Sequence, residues 1–348
     1  MTWEGWQPAT AHEPTGDPIE VATVAEAVVT PYAHGPLRAE VGPQHWIRGA
    51  VHDHEGTLVR ASQRRWHGDA LNPVAADPET VPVPTGVRRL DGTWLYAGHW
   101  AGHFGHFLVE LLPTLWPEPD SHGPLAGILA HRHAARSGPL HPRRPLQTPT
   151  VGGWQRDLIE LAGHDPDGLR IVHGRALRVE RLVVPARPVL LKTWAQPEAV
   201  RLWRRVSDAV GTRGPDRLVY LSRSRFHAGA TASERVRTAA EQDARLDATF
   251  AAAGFAVVHP EMLSIREQIA TVRGADVLAG LSGSALHLAV FAEPGIRVLS
   301  LGDRRSPAPS DQGAGHARRR VRAPGRLRPR RRRGGADRGA HRPGRLRR

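Results

Sequence analysis

The chain is 348 residues long, which is too long for one ordinary hydrophobic core and suits two domains. It contains no cysteine, so disulfide bonds and thiolate metal sites are excluded. The formal net charge of +14 lies entirely in residues 303–348, which hold 17 arginines and three aspartates, whereas residues 1–302 hold 31 basic and 31 acidic side chains. The composition therefore predicts a neutral globular body, and we expect no specific nucleic-acid partner.

The first part of the chain, residues 1–93, alternates short apolar runs with turn residues. Residues 49–62 are typical of a β-hairpin, with His52, Asp53 and His54 as solvated residues of its turn. The apolar runs that predict strands here are Glu20–Val29, His45–Val51 and Thr57–Ala61.

The sequence predicts neither a signal peptide nor a membrane-spanning segment. The first 17 residues contain acidic residues and prolines where a signal peptide needs a basic and then an apolar run. No later segment approaches the length and hydropathy of a membrane span. The sequence therefore predicts cytoplasmic residence, with peripheral association with a membrane left open and no prediction about the oligomeric state.

The stretch from Trp94 to Trp116 reads WLYAGHWAGHFGHFLVELLPTLW and predicts a short strand followed by a packed helix. At helical spacing His103, His106 and Glu110 share one face of that helix. Each histidine is either a core residue with satisfied hydrogen bonds or a functional group, and a zinc site at His99 and His103 is a weaker alternative. A carboxylate in a core needs a partner or a function, so Glu110 is the stronger candidate.

The middle of the chain continues the alternation of helix and strand, with an amphipathic helix over 151–163, a strand over 175–187 and a helix over 197–210. From Arg217 onward regular βα units predict a doubly wound parallel sheet that binds ligands at the carboxyl ends of its strands. Its predicted strands are Leu218–Leu221, Phe255–His259, Asp276–Ala279 and Arg297–Leu301. Its predicted helices are Ser233–Ala253, Ser264–Arg273 with Ser264 and Glu267 as a capping box, and Ser284–Ala292.

The arginine-rich tail, residues 303–348, has almost no apolar residues and no periodicity, so we predict that it is disordered. Frameshifted reading of GC-rich DNA explains its composition better than a basic arm for nucleic acid or acidic lipid. The predicted domains are 1–210 on the acceptor side, 211–302 for nucleotide-sugar binding, and the 303–348 tail.

Two predicted strand ends carry groups that suit a diphosphate. Arg223 and Arg225 follow the first strand of the second domain, where their guanidinium groups favour forked hydrogen bonds with phosphate oxygens, although they are also explained as solvated loop arginines. The turn GLSGSALHL follows the third strand and opens into a helix, whose amide groups favour an anion.

Three segments in order resemble glycosyltransferase family 61, which includes capsular-polysaccharide biosynthesis proteins. They are GHWAGHFGHFLVELLPTLWP, LVYLSRSRF and the run from Gly254 to Gly295. The resemblance implies a GT-B-like α/β fold of two Rossmann-like domains. It also implies transfer of a sugar from a nucleotide-sugar to a glycan acceptor, in capsular or surface polysaccharide biosynthesis, without a cofactor or an obligate metal.

The same resemblance implies a set of site residues. Glu110 is expected as the catalytic base, with His106 as the alternative. In the glycine turn many relatives carry histidine and asparagine where this chain has Ser282 and Leu288, so side-chain contacts to the donor differ there. The donor-binding residues that the resemblance implies are Arg223, Arg225, Glu261, Gln268, Gly283, Ser284 and His287.

Four other functions stay open from the sequence. A nicotinamide-dependent oxidoreductase is disfavoured because no G-x-G-x-x-G motif follows a strand. A nucleic-acid-binding protein would act through the tail, and a metal-dependent hydrolase would use His99, His103 and His106. If the tail replaces the family's own C-terminal end, the chain is a catalytically impaired, truncated family member.

Overall fold

The computed structural model describes residues 19–30, 49–63, 80–81, 83, 85–100, 102–132, 151–172, 175–190, 194–228 and 240–302, and every structural statement below concerns these residues. The predicted tail, residues 45–48 of the predicted strand His45–Val51 and residues 233–239 of the long helix lie outside them. No helix in these ranges is long and apolar enough to cross a membrane.

The first sheet has six strands in the order β2-β1-β6-β3-β4-β5. Strands β6, β3, β4 and β5 are parallel, whereas β1 is antiparallel to both of its neighbours. This differs from the expected Rossmann-like first domain, because a Rossmann sheet is parallel throughout its nucleotide-binding halves. The strands are β1 (Val21–Val29), β2 (Val51–His52), β3 (Arg88–Trp100), β4 (Leu125–Arg132), β5 (Leu169–Val172) and β6 (Leu177–Pro185).

The first sheet is strongly coiled, and all six strands contribute to one apolar cluster. Thr30 follows β1 at the amino-terminal end of β6, yet its carbonyl accepts a hydrogen bond from His131 at the carboxyl end of β4, at 2.6 Å. The right-handed twist of strands brings these distant corners together. The other face of the first sheet packs against helices.

The second sheet has four parallel strands in the order β10-β9-β11-β12: β9 (Leu218–Leu221), β10 (Ala256–Val258), β11 (Val277–Leu281) and β12 (Arg297–Leu301). Helix α5 (Ala240–Ala252) covers one face, while α6 (Ile265–Gly274) and the 3-10 helix Ser284–Phe291 cover the other. The predicted doubly wound parallel sheet is confirmed. So is the capping box, in which Ser264 and Glu267 exchange hydrogen bonds and thereby lower the pKa of Glu267.

The helices between the sheets form one continuous core with both of them. Helices α2 (Gly153–Leu161) and α3 (Pro197–Val210) confirm two predicted helices. Leu95 and Ile128 of the first sheet belong to the same apolar cluster as Val219 and Leu278 of the second. A small hairpin of β7 (Val189–Leu190) and β8 (Trp194–Ala195) precedes α3.

The first hairpin differs from its prediction in two respects. After its turn Leu58 pairs with His52, whereas Thr57 pairs with Thr80 outside the hairpin. A 3-10 helix, Arg60–Ser62, then follows, so the second arm is very short. His52 is fully buried rather than solvated, because it lies in β2 and not in the turn. Asp53 does hold the turn, since its carboxylate accepts hydrogen bonds from the backbone of Glu55 and Thr57.

Candidate active site

The histidine-rich stretch is divided between a strand and a helix. Strand β3 has 13 residues and runs to Trp100, so it is much longer than the predicted strand and includes His99. Helix α1 (Phe104–His106) then continues as a π-helix (Phe107–Leu111) and a 3-10 helix (Leu112–Leu115). We call residues 104–115 the central helix.

External donors satisfy backbone carbonyls of the π-helical turn. The indole Nε1 of Trp203, on α3, donates to the carbonyl of Leu108 at 3.0 Å. The hydroxyl of Thr114 lies 2.6 Å from the carbonyl of Leu111 and 2.9 Å from that of Ala97 in β3. π-Helical turns are rare and often occur at functional sites. Here the wide turn begins directly after His106 and contains Glu110.

The side chains of His106 and Glu110 are hydrogen-bonded to each other at this turn. The imidazole Nδ1 of His106 donates to the carboxylate Oε2 of Glu110. The Glu110 side chain is only 7 % exposed, whereas the His106 side chain is 36 % exposed. A carboxylate that accepts from Nδ1 fixes the ring orientation and leaves Nε2 as the basic nitrogen. His103 lies beside the pair, with its ring centroid 5.0 Å from that of His106.

The central helix meets the 3-10 helix Ser284–Phe291 at Gly105. A Cβ atom placed on Gly105 would lie 2.7 Å from Cδ2 of His287 and 3.1 Å from the hydroxyl of Ser284. Only a residue without a side chain allows this approach. The structure thus brings Gly105, which directly precedes His106, against two residues of the glycine turn, some 180 positions along the chain.

The glycine turn itself follows β11 and needs its glycine. Gly283 has φ of 156° and ψ of −167°, a backbone region that only glycine occupies readily. The backbone NH of the buried Ser282 donates to the carbonyl of Leu301 at 2.7 Å, which joins the turn to β12. The turn therefore presents Ser284 and His287 from a fixed backbone.

The arginine turn follows β9, which is the direct neighbour of β11. Gly280 pairs with Leu221, so Ser222 and Arg223 begin beside the glycine turn. Ser224 accepts a hydrogen bond from the hydroxyl of Ser222 at 3.1 Å and donates its own to Asp247 of α5 at 2.8 Å. In a doubly wound sheet of this order, ligands bind where neighbouring crossovers leave on opposite faces, and β9 and β11 form that point.

The two arginines of this turn differ in their surroundings. Arg223 is half-buried, and its guanidinium carbon lies 5.6 Å from the ring centroid of Phe226. Arg225 is exposed on the short helix α4 (Ser224–Ala228). Asp247, which holds Ser224, was missed from the sequence, because nothing distinguishes it there from other polar residues of an amphipathic helix.

Glu261 lies in the loop after β10, on the far side of β9 from the glycine turn, whereas Gln268 lies on α6. Glu261 is exposed in the 3-10 helix Pro260–Met262. The amide of Gln268 donates to the carbonyls of Pro260 and Leu263, at 2.9 and 3.0 Å, and so holds that loop in place. The described contacts give Gln268 a structural role.

A separate buried network surrounds His99 and His131, which are paired positions of β3 and β4 with rings stacked 5.3 Å apart. Tyr96 donates to Nδ1 of His131 at 2.7 Å, and burial lowers the pKa of His131 to about 4. Arg187 donates to Nδ1 of His99 at 3.1 Å, while Nε2 of His99 donates to the carbonyl of Gly49 at 2.9 Å. His131 and Arg187 were not identified from the sequence, because strand pairing and tertiary packing bring them to His99 and neither is visible in the local pattern.

This network separates His99 from the other two histidines of the motif. Across the ranges that the structure describes, no group of three or more His, Asp or Glu side chains is arranged to hold a metal ion. The three histidines of the hydrolase alternative therefore do not form one site, since His99 faces Gly49 and Arg187 while His103 and His106 face each other.

A comparison with known protein families gives a match that includes most of the residues described above. A family model described as Glycosyltransferase 61 matches residues 104–299, which is more than half of the chain. The match begins at the first residue of α1 and ends within β12, so it includes the His106–Glu110 pair and both turns of the second sheet. A search of curated proteins finds no match.

Proposed function

The chain belongs to the glycosyltransferase 61 family, and from this premise we propose that it transfers a sugar from a nucleotide-sugar to a glycan acceptor. The observation that carries the proposal is the contact of Gly105 with Ser284 and His287. It supports the proposal because Gly105 directly precedes His106, so that the imidazole–carboxylate pair would lie near the turn that would receive the donor's diphosphate. The acceptor would then bind on the side of the first sheet and the donor on the side of the second sheet, as in a GT-B-like enzyme.

We assign the base to His106 and not to Glu110. The buried carboxylate already accepts from Nδ1 of His106, whereas the imidazole is the more exposed partner. His106 Nε2 would take the proton of the acceptor hydroxyl as that oxygen attacks the anomeric carbon, and Glu110 would stabilise the imidazolium that forms. This choice is the alternative that the sequence left open.

The leaving diphosphate would be stabilised without a divalent metal. Arg223 and Arg225 supply fixed positive charge at the end of β9, and Gly283 and Ser284 supply backbone NH groups at the end of β11. His287 lies against the same turn and contributes a further donor. We therefore expect transfer to be insensitive to chelators.

Transfer of a sugar to a glycan acceptor, a role in capsular or surface polysaccharide synthesis and a cytoplasmic location are all parts of this proposal. The test is an assay of the full chain with a panel of nucleotide-sugars, with release of the nucleoside diphosphate as readout. We expect His106→Ala to lower kcat by about 10²–10⁴-fold. Retained activity in His106→Ala with complete loss in Glu110→Gln would return the base role to Glu110.

The glycine contact gives a second test with a matched control. Gly105→Ala should lower kcat at least tenfold, because the new methyl group would push the central helix away from Ser284 and His287. Gly102→Ala lies three residues away with nothing within 4 Å of its added Cβ, so it should retain activity. Equal activity in the two variants would contradict a catalytic role for the contact.

A further inference from the structure

The direction in which a donor would lie along the second sheet follows from the position of the His106–Glu110 pair. The pair adjoins the 3-10 helix that follows β11, through the contact of Gly105 with Ser284 and His287. The anomeric carbon must lie beside the base, on the β11 side. With the diphosphate between the two turns, the nucleoside must extend the opposite way, across β9 toward β10.

Two exposed apolar side chains lie on that side. Among the described residues, the exposed large hydrophobic side chains are Val200 at 52 %, Phe226 at 47 % and Met262 at 62 %. Phe226 is on α4, directly after β9, and Met262 is in the loop directly after β10. The backbone NH of Ser222 donates to the carbonyl of Val258 at 2.8 Å, which holds these two strand ends together.

The chemistry of these residues fits a nucleoside. An aromatic ring offers a stacking surface for any base, and a methionine adapts its shape to a flat partner. Glu261 is exposed next to Met262, and a carboxylate at the end of the second strand of such a sheet is placed to accept hydrogen bonds from ribose hydroxyls. The ends of β10 and β11 are two strand spacings apart, roughly 10 Å, a gap that a ribose with its phosphates bridges.

We infer that the nucleoside half of the donor binds over the carboxyl ends of β9 and β10, with its base against Phe226 and Met262 and its ribose hydroxyls at Glu261. The inference rests on the proposed function and adds the orientation and the residues of the nucleoside subsite. Phe226 then has two contacts, with the base on its exposed side and with Arg223 on the other.

The test compares binding of nucleoside diphosphates with binding of inorganic pyrophosphate, both measured by calorimetry on the full chain. Phe226→Ala should weaken the best-bound nucleoside diphosphate about tenfold, and Met262→Ala should weaken it less. Pyrophosphate affinity should stay unchanged in both variants. Val200→Ala is the matched control, because Val200 is equally exposed but lies on α3, and it should change neither affinity.

The ribose contact is tested separately. The wild-type chain should bind the ribonucleotide more tightly than its 2′-deoxy form, and Glu261→Gln should reduce that preference.

Several outcomes would overturn the inference. If Phe226→Ala weakens pyrophosphate and nucleoside diphosphate equally, Phe226 only positions Arg223. Unchanged nucleotide affinity in both apolar variants would place the base elsewhere while leaving the proposed function intact. A folded wild-type chain that binds neither nucleotides nor nucleotide-sugars would remove the proposed function and the subsite together.

Discussion

At the scale of single residues, burial fixes the protonation state of His131. Its ring is fully buried, with Nε2 donating to the carbonyl of Thr30 and Nδ1 accepting from Tyr96. Both nitrogens are therefore used by the neutral form, and a second proton would displace the hydrogen bond from Tyr96 and place a charge away from water. The charges of His52 and Arg187 lower the pKa further, after the larger effect of burial.

This network predicts a loss of stability in mild acid. The pKa of His131 falls from about 6.5 to about 4 on folding, so below pH 6.5 the unfolded chain binds a proton that the folded chain does not. Its contribution is complete above pH 6.5 and declines as the pH falls toward 4, by at most about 1.4 kcal/mol per pH unit. Denaturant unfolding between pH 4.5 and 8 measures it.

His131→Gln keeps a donor toward Thr30 without a titrating ring, so its stability should depend less steeply on pH. Equal slopes in the two proteins would show that His131 is not the group responsible. His164 remains in both, with its pKa also lowered to about 4 by burial, so some acid sensitivity should persist.

Single residues were predicted from the sequence where their role is local. The capping box of Ser264 and Glu267 needs only three residues of spacing, and it is as predicted. His52 was misplaced, because its burial depends on the pairing of β1 with β2 and not on the turn beside it. The i, i+4 spacing of His106 and Glu110 allows their pairing to be inferred from the sequence, whereas the contact of Gly105 with His287 could not be inferred from it.

At the scale of elements, the central helix depends on its π-helical turn. A five-residue turn changes the angular position of every later side chain, so the pairing of His106 with Glu110 and the packing of Leu111 are set together. The regular i, i+3, i+7 pattern of the sequence could not predict the π-helical turn, because that turn is held by hydrogen-bond donors from α3 and from Thr114.

Removing the indole donor tests that dependence. Trp203→Phe leaves the buried carbonyl of Leu108 without its side-chain donor, which should cost about 1–3 kcal/mol of stability. Activity should also fall, because the helix is then free to tighten and change the orientation of Glu110 relative to His106. Denaturant unfolding and the transfer assay measure the two effects.

Trp116→Phe is the control for this substitution. It removes an indole hydrogen bond of the same kind, to the carbonyl of Ala186, outside the π-helical turn. It should lower stability and leave kcat unchanged. If both variants lose activity in proportion to stability, the turn has no special part in positioning the pair.

At the scale of the whole molecule, α3 joins the two sheets. It contributes Leu202, Trp203 and Val206 to the core shared by both. Its polar side is tied to the second half as well, since Arg204 pairs with Glu293 and Asp208 with Arg273. The predicted domain boundary after residue 210 stays a prediction, but α3, the helix that precedes it, contacts both halves of the molecule.

A shared core predicts cooperative unfolding. All ten tryptophans lie at or before Trp203, so tryptophan fluorescence follows the first half of the chain, whereas far-UV circular dichroism follows both halves. The two denaturation curves should coincide. Separated midpoints would instead support two domains that unfold independently at the predicted boundary.

The second sheet was predictable as a whole and the first was not. From Arg217 each strand and helix follows the last with regular spacing, so local periodicity was enough to predict the parallel order. In the first sheet, the antiparallel β1 and the strong coiling are set by pairings across long stretches of chain, which periodicity does not record.

The contact at Gly105 also constrains how this protein can change over time. Residues 105, 284 and 287 occupy one small volume, so a larger side chain at any of them is tolerated only if another becomes smaller. Their mutational effects should therefore be epistatic, with single changes deleterious and compensating pairs less so. Gly105 and the turn that carries Ser284 and His287 are then inherited as a unit, although they lie at opposite ends of the family match.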